Sequence, residues 1–257
     1  RITKSESNFI NILGINKNNL VEEDSRSGWL FAGLADNINT EFEINNFAVY
    51  FQNQLKVKNT LFSTSLRYDI NKTRHNLNYD SFNWDTYEFE NTIMPRILNK
   101  DMNLLGCSFK INNQINKYLN FFGILSRGYK TSGINQSPNF SNNNTYDTEF
   151  VNNIELGLNY SKKNKYKLSI FYIDRMNPQL RIFSQFDLSD PTSFDYATFN
   201  AISGTNLGIE FNSEVKIKKY TLKTNIGILD THIDEFVFLE NIYGDRELAH
   251  SPKLTIN

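Results

Sequence analysis

Few residues in this chain have the types and spacing that chemistry requires. The three histidines, His75, His232 and His250, are scattered through polar stretches. A metal site needs clustered ligands of defined geometry, so solvated loop histidines are expected, with no metal site and no resident cofactor. Haem capture by His232 or His250 is the sharper alternative. Asp230, Asp234 and Glu235 lie close together, but acids in a polar loop are usually just solvated. Ser126 lacks the strand-to-helix context of a nucleophile, and there is no glycine-rich phosphate loop. The single cysteine, Cys107, excludes an intrachain disulfide and any multi-cysteine metal site, and reads as a small apolar wall residue. The chain is therefore not expected to be an enzyme. What remains is binding chemistry. Trp84, Tyr87, Phe183, Phe186 and Tyr243 are large stacking surfaces in otherwise polar loops, and with His232 they are the candidate ligand contacts. Packing within the loops accounts for them equally well. Arg67, Lys130, Glu155, Glu210 and Lys223 form a second set, each on the opposite side of a strand from its apolar residues.

The elements that position these residues are strands. Tyr118–Lys130, Phe150–Tyr160 and Tyr166–Arg175 are expected strands, the last two joined by a turn at Ser161–Lys165. In the second, Ile154, Leu156, Leu158 and Tyr160 point one way and Asn153, Glu155, Gly157 and Asn159 the other. Phe47, Val49, Phe51, Leu55 and Val57 share a face, as do Phe62, Thr64, Leu66, Tyr68 and Ile70, with Ser63, Ser65, Arg67 and Asp69 opposite. Further strands are expected at Met102–Ile111, Thr205–Val215 and Tyr220–Leu229. The beginning of the chain reads as a strand at Ser7–Ile15, a polar turn at Lys17–Arg26, a strand at Gly28–Asp36 and a loop at Asn37–Glu43. Long polar segments fill Asn71–Lys100, Thr131–Glu149, Arg175–Ser203 and Asp230–His250.

The pattern is strand, short turn, strand, long loop, giving about ten strands and the start of an eleventh. Short turns at Lys58-Asn59, Asn112–Lys117, Ser161–Lys165 and Lys216–Lys219 should all lie at one end. Long loops on one side only are a feature of transmembrane β-barrels, whereas a soluble sandwich has mostly short connections at both ends. Hydrophobic content of 39% with aromatic content of 14% suits a barrel with a polar lumen and aromatic rims. No apolar run is long enough for a membrane helix, which leaves membrane strands open. The formal net charge of −1 gives no global field to attract nucleic acid, and no such partner is expected. Phe62, Leu66, Leu105, Phe109, Leu156, Leu158, Ile209, Phe211 and Ile226 are expected to face lipid. Arg67, Lys130, Glu155, Glu210 and Lys223 are expected on the lumen wall. Arg127 is left unassigned between lumen and headgroups.

The order of several motifs carries a family resemblance. SRGYKTSGIN at Ser126–Asn135, IELGLNY at Ile154–Tyr160, LSIFYIDRMNPQL at Leu168–Leu180, NLGIEFNSEV at Asn206–Val215 and ELAHSPKLTIN at Glu247–Asn257 resemble the C-terminal half of a TonB-dependent outer-membrane receptor barrel. SGWLFAGL at Ser27–Leu34 and FSTSLRYD at Phe62–Asp69 fit earlier strands of that family. The resemblance implies an all-β, antiparallel transmembrane barrel, of which residues 1–257 would supply about 10–11 of 22 strands, as an open sheet lacking the N-terminal plug and the C-terminal strands. It further implies a receptor in the outer membrane of a Gram-negative bacterium. Such a receptor takes up a scarce small-molecule ligand (a ferric siderophore or other iron chelate, cobalamin or a glycan), energised by a TonB-like protein that contacts the plug region. Its partners would be outer-membrane lipid, that coupling protein and the ligand. The rivals are a passive outer-membrane porin and a secreted β-sandwich adhesin.

Overall fold

The computed structural model describes residues 9–30, 34–83, 85–135, 145–186, 191–238, 241–244 and 246–257. The strands are β1 (Phe9–Leu30), β2 (Leu34–Val57), β3 (Thr60–Asn83), β4 (Glu88–Gln114), β5 (Leu119–Lys130), β6 (Gly133–Ile134), β7 (Thr145–Tyr146), β8 (Glu149–Ser161), β9 (Lys165–Met176), β10 (Gln179–Gln185), β11 (Phe194–Asn200), β12 (Ser203–Ile217), β13 (Tyr220–Ile233), β14 (Phe236–Phe238), β15 (Asn241–Tyr243) and β16 (Leu254–Ile256). Ten of them form one antiparallel sheet in the order β1-β2-β3-β4-β5-β8-β9-β12-β13-β16. The others pair as three small hairpins, β6–β7, β10–β11 and β14–β15, in the long connections.

Cross-strand partners in an antiparallel ladder point to the same face, so one row of partners reads the sheet from edge to edge. The row Phe9, Leu55, Phe62, Ile111, Gly123, Leu156, Ile170, Ile209, Ile228, Leu254 crosses all ten strands and is apolar throughout. The nine residues expected to face lipid all share this face, and Leu66, Leu105, Phe109, Leu156, Leu158 and Ile209 are exposed large hydrophobics. An exposed apolar band of this extent is costly in water and favourable against hydrocarbon. Cys107, beside Leu66, belongs to the same face. The four short turns follow β2, β4, β8 and β12 and all lie at one end of the sheet.

The band ends on β3 at Ile70, after which Lys72 and Arg74 occupy the same face. Phe62–Ile70 is already about the 9–11 residues that a tilted strand needs to cross a bilayer. Asn71–Asn83 therefore projects beyond it. Here the sequence reading needs correction. Asn71–Lys100 is not a long loop but the outer halves of β3 and β4, joined around residues 84–87. Lys17–Arg26 is not a turn but the middle of the continuous β1, and Asn37–Glu43 belongs to β2. The expected strand Gly28–Asp36 straddles the β1–β2 connection, and the main sheet holds ten strands among the described residues, in line with the expected 10–11. The reason is physical. Outside hydrocarbon neither face of a strand must be lipid-compatible, so polar residues occupy both, and the alternation that reveals a membrane strand disappears.

The expected outcome of Leu156→Arg in the full-length protein is a loss of about 2–4 kcal/mol of folding stability in a bilayer, since Leu156 lies mid-band. Glu155→Gln, one residue away on the other face, should cost under about 1 kcal/mol. Equilibrium unfolding of both variants in lipid vesicles checks the contrast.

Candidate functional site

The loop end of the sheet is built around Glu149, a carboxylate buried at the start of β8. Its Oε1 accepts from Arg175 Nε at 2.7 Å and its Oε2 from the Gln179 backbone N–H at 2.9 Å. Arg175 and Glu149 are 16% and 6% exposed at the side chain, so this is a desolvated pair whose remaining acceptor is also used. Gln179 passes the tie onward. Its Nε2 donates to the carbonyls of Thr131 and Asp147 at 2.7 and 2.9 Å. Asn200 accepts from the Asp147 N–H at 2.6 Å and donates to the Asp147 and Asn177 carbonyls at 3.0 and 2.8 Å. Asn135 makes a two-way pair with the backbone of Thr198, both bonds 2.8 Å. The described residues 131–135, 145–148, 177–186 and 191–202 are thereby one unit.

That unit has its own small core. Ala197, Phe199, Ala201, Ile233 and Phe236 are buried together, with Leu180, Ile182, Tyr243 and Leu248 packed around them. Phe199 meets Phe236 at 4.9 Å, and Phe236 stacks on Tyr243 at 5.5 Å. The third connection, after β13, is thus fastened to the first two. On the β10–β11 hairpin the alternation is strict. Leu180, Ile182, Ala197 and Phe199 face this core, while Arg181, Phe183, Phe194 and Tyr196 share the other side. Phe183 lies 5.3 Å from Phe194 and 4.7 Å from Tyr196, with the Arg181 guanidinium 4.6 Å over the Tyr196 ring. Phe183, Phe194 and Tyr196 remain 55%, 45% and 51% exposed. A cation and three aromatic faces open to solvent are suited to a flat or aromatic ligand.

The sequence-expected contacts divide accordingly. Phe183 is in this row and Phe186 is exposed at the end of the same hairpin, where its N–H donates to the Ser193 carbonyl at 2.9 Å. Tyr243 is half-buried in the core, with Arg246 5.5 Å over its ring. Tyr87 is 74% exposed at the β3–β4 tip in a left-handed conformation, φ 59°. Trp84 lies outside the described residues. His232 is placed elsewhere: Arg127, Asn152, Asp174, Thr205 and His232 form one cross-strand row on the apolar face, where the band gives way to polar groups. His232 Nε2 lies 3.0 Å from Asp234 Oδ1, and the Ser203 hydroxyl donates to the other Asp234 oxygen. The carboxylate sits between the two, an order that cannot activate a serine. Arg127 belongs to this rim, stacked 4.6 Å over Phe150. Arg181, Phe194 and Tyr196 were missed in the sequence. The signal was the alternation at 180–183 and 196–199, read there as loop.

Arg67, Lys130, Glu155, Glu210 and Lys223 all fall on the polar face by register. Arg67 is bidentate to Asp69, both bonds 2.7 Å, and the Tyr129 hydroxyl donates to the same carboxylate. Glu155 lies 3.8 Å from Lys167, whose ammonium sits 5.1 Å over Phe122. These five are spread along the wall and not gathered into a site. Among the described residues no group of three metal-ligating side chains forms.

His75 corrects another expectation. It is no loop histidine but a fully buried residue of β3 beyond the band, edge-on to Phe42 at 5.9 Å, with no hydrogen-bond partner on either ring nitrogen. Burial first, and the charge of Arg96 second, push its pKa below the ordinary value.

An antiparallel sheet with a continuous apolar band, a polar opposite face, short turns at one end and cross-tied loops at the other is the wall of an outer-membrane β-barrel. The chain belongs to the TonB-dependent receptor family: a family model described as "TonB dependent receptor-like, beta-barrel" matches residues 8–257. Members are receptors and transporters of the Gram-negative outer membrane rather than enzymes, and that is this chain's location. No curated protein sequence matches it. Its fold is similar to the ferric yersiniabactin uptake receptor FyuA from Yersinia pestis (TM-score 0.67, 14% identity, 88% of this chain and 33% of that one). It is also similar to the siderophore receptor PiuA from Acinetobacter baumannii (0.63, 10%, 96% and 43%). A third is the ferric-catecholate import receptor Fiu from E. coli K12 (0.58, 12%, 97% and 42%). The chain spans well under half the length of each.

Glu149→Gln in the full-length protein leaves Arg175 buried without its counter-charge. The expected outcome is a loss of about 3–5 kcal/mol for the loop unit, seen as faster amide exchange across 131–135, 177–186 and 191–202 while the β8–β9 ladder stays protected. For His75 the folded state holds the neutral ring, so the unfolded segment binds more protons at low pH. The stability due to burial is complete above the unfolded value of about 6.5 and is lost as pH falls below it. Protection factors in the outer halves of β3 and β4, taken relative to the intrinsic exchange rate at each pH, should therefore fall between pH 7 and 5, and His75→Phe should abolish that dependence.

Proposed function

We propose that this chain is part of a receptor that takes up a scarce small-molecule ligand across the outer membrane, with a ferric siderophore or related iron chelate as the favoured class. The observation that carries the reading is the exposed Arg181–Phe183–Phe194–Tyr196 row, held on a loop unit at the end of the barrel away from the short turns. Aromatic faces with an adjacent guanidinium bind planar anionic groups by stacking and charge together. Phe186 is a further exposed aromatic at the end of the same hairpin and Tyr87 offers a separate contact at the β3–β4 tip, with Trp84 beside it in sequence. Arg67, Lys130, Glu155, Glu210 and Lys223 are read as lumen wall. Their scatter suits a hydrated path or a packing surface for a plug better than a single binding site. Residues 1–257 would then be one section of a single barrel domain, and coupling to a TonB-like protein would run through a plug outside them. The family membership and the folds of the three receptors support this reading.

The test uses the full-length receptor in cells that lack other iron uptake routes, supplied with a 55Fe-labelled catecholate chelate. Wild type is expected to show uptake that collapses when the proton gradient is dissipated. Phe183→Ala with Tyr196→Ala should weaken binding about tenfold or more, from loss of stacking worth about 0.5–1.5 kcal/mol per ring pair beyond area burial. Uptake indifferent to the gradient indicates a passive channel. Uptake indifferent to the double substitution removes the aromatic row from the site.

A further inference from the structure

We propose that the short-turn rim of the sheet is a binding surface for anionic phospholipid headgroups of the adjoining leaflet. The four turns with their flanks, residues 56–61, 113–119, 160–166 and 215–221, carry nine lysines and no Asp or Glu, in a chain whose net charge is −1. All nine are exposed. One, Lys165, is partly compensated by Glu214 at 3.3 Å. The topology brings the four turns to one end, so lysines dispersed in sequence become one basic rim.

Two further observations point to a ligand at this rim. Lys58 and Lys218 hold left-handed backbone, each with φ 53°, in turns where glycine or asparagine would be unstrained. Charge is thus kept at positions where local conformation argues against it. The second is depth. Tyr118, Tyr160, Tyr166 and Phe211 run side by side on the apolar face at 6.4, 6.1 and 6.3 Å, closing the band on its turn side. Tyrosine girdles mark the headgroup level of a bilayer. The Lys117 and Lys162 ammonium groups sit 5.6 and 5.0 Å over Tyr118, and Lys219 lies 5.4 Å over Tyr220. Cations held on the girdle lie among headgroups. A soluble acidic protein would meet them only past that layer, so lipid phosphate is the better fit, and a net positive rim selects anionic over zwitterionic headgroups.

The experiment reconstitutes the full-length receptor in nanodiscs of phosphatidylethanolamine and phosphatidylglycerol at 3:1 and measures the lipids that stay bound by native mass spectrometry. Wild type is expected to retain phosphatidylglycerol in preference to phosphatidylethanolamine, the bound ratio of the two rising over the bulk ratio by roughly fivefold for a site engaged by one lysine at low salt, with the excess vanishing at 0.5 M salt. The Lys117→Gln, Lys162→Gln, Lys163→Gln, Lys218→Gln, Lys219→Gln variant, confirmed folded by heat-modifiable gel mobility, should return to the bulk ratio. The same positions as Arg should keep the enrichment. A bulk ratio in wild type, or enrichment untouched by the Gln variant, overturns the proposal. Lysine-dependent capture of a polyglutamate peptide without any lipid preference overturns it as well and assigns the rim to an acidic protein.

Discussion

Register is the constraint on which the rest of this molecule depends. Side chains alternate every residue, and the ladder between β1 and β13 keeps that alternation in phase along the band. A slip of one residue between any two strands would carry Arg67, Glu155 or Lys223 into the band and Leu66, Leu156 or Leu222 out of it. In hydrocarbon such an error meets both a charge penalty and unpaired backbone groups, so the bilayer enforces the register more strictly than a water-facing sheet would. The in-phase row from Phe9 to Leu254 follows from that pressure. So do the tight connections at Lys58-Asn59 and Lys218-Lys219, since a short turn leaves no slack for a shift.

The two ends of the sheet use polarity in opposite ways. At the turn end the charges are uniform in sign and exposed, and they gain most from what lies outside the chain. At the loop end the important charges are buried and opposed. Glu149 and Arg175 contribute little net stability as a desolvated pair, but they fix the geometry from which Gln179 and Asn200 reach backbone carbonyls. Side chains bonded to backbone, rather than a large apolar core, give the loops one shape. The small cluster around Phe199 and Phe236 adds the packing that polar ties lack.

How far the sequence reveals this follows the solvent. Where lipid faces the strand, as at Phe62–Ile70 and Ile154–Tyr160, alternation is complete, and the turn-side ends of β3 and β8 fall within two residues of the expected ones. Beyond the band neither face of a strand meets lipid: on β3 Lys72 and Arg74 are exposed while Asn71, Thr73 and His75 are buried, so polar residues stand on both faces and the stretch reads as loop, which hid the outer halves of β3 and β4 and the length of β1. The candidate site was half legible for the same reason. Phe183 stood out as an aromatic in polar surroundings, whereas Arg181, Phe194 and Tyr196 join it only through the hairpin pairing Phe183↔Tyr196. For His232 the sequence shows mostly polar neighbours, while its neighbours across the ladder belong to the membrane rim. The buried pair Glu149–Arg175 left no mark, since neither residue is unusual until the fold brings them together.

The projecting halves of β3 and β4 carry a different consequence. From Asn71 to Asn83 the strand runs roughly 40 Å along its own axis at about 3.3 Å per residue, longer than the stretch Phe62–Ile70 that carries the band. Its tip at Asp85–Tyr87 therefore stands far from the band, at the end of the sheet away from the short turns. The tip holds itself together locally, through the Tyr87 N–H on the Asn83 carbonyl and the Asn83 amide on Glu90, and contributes nothing to the band. Its sequence can therefore change without disturbing the register on which the fold beneath it depends.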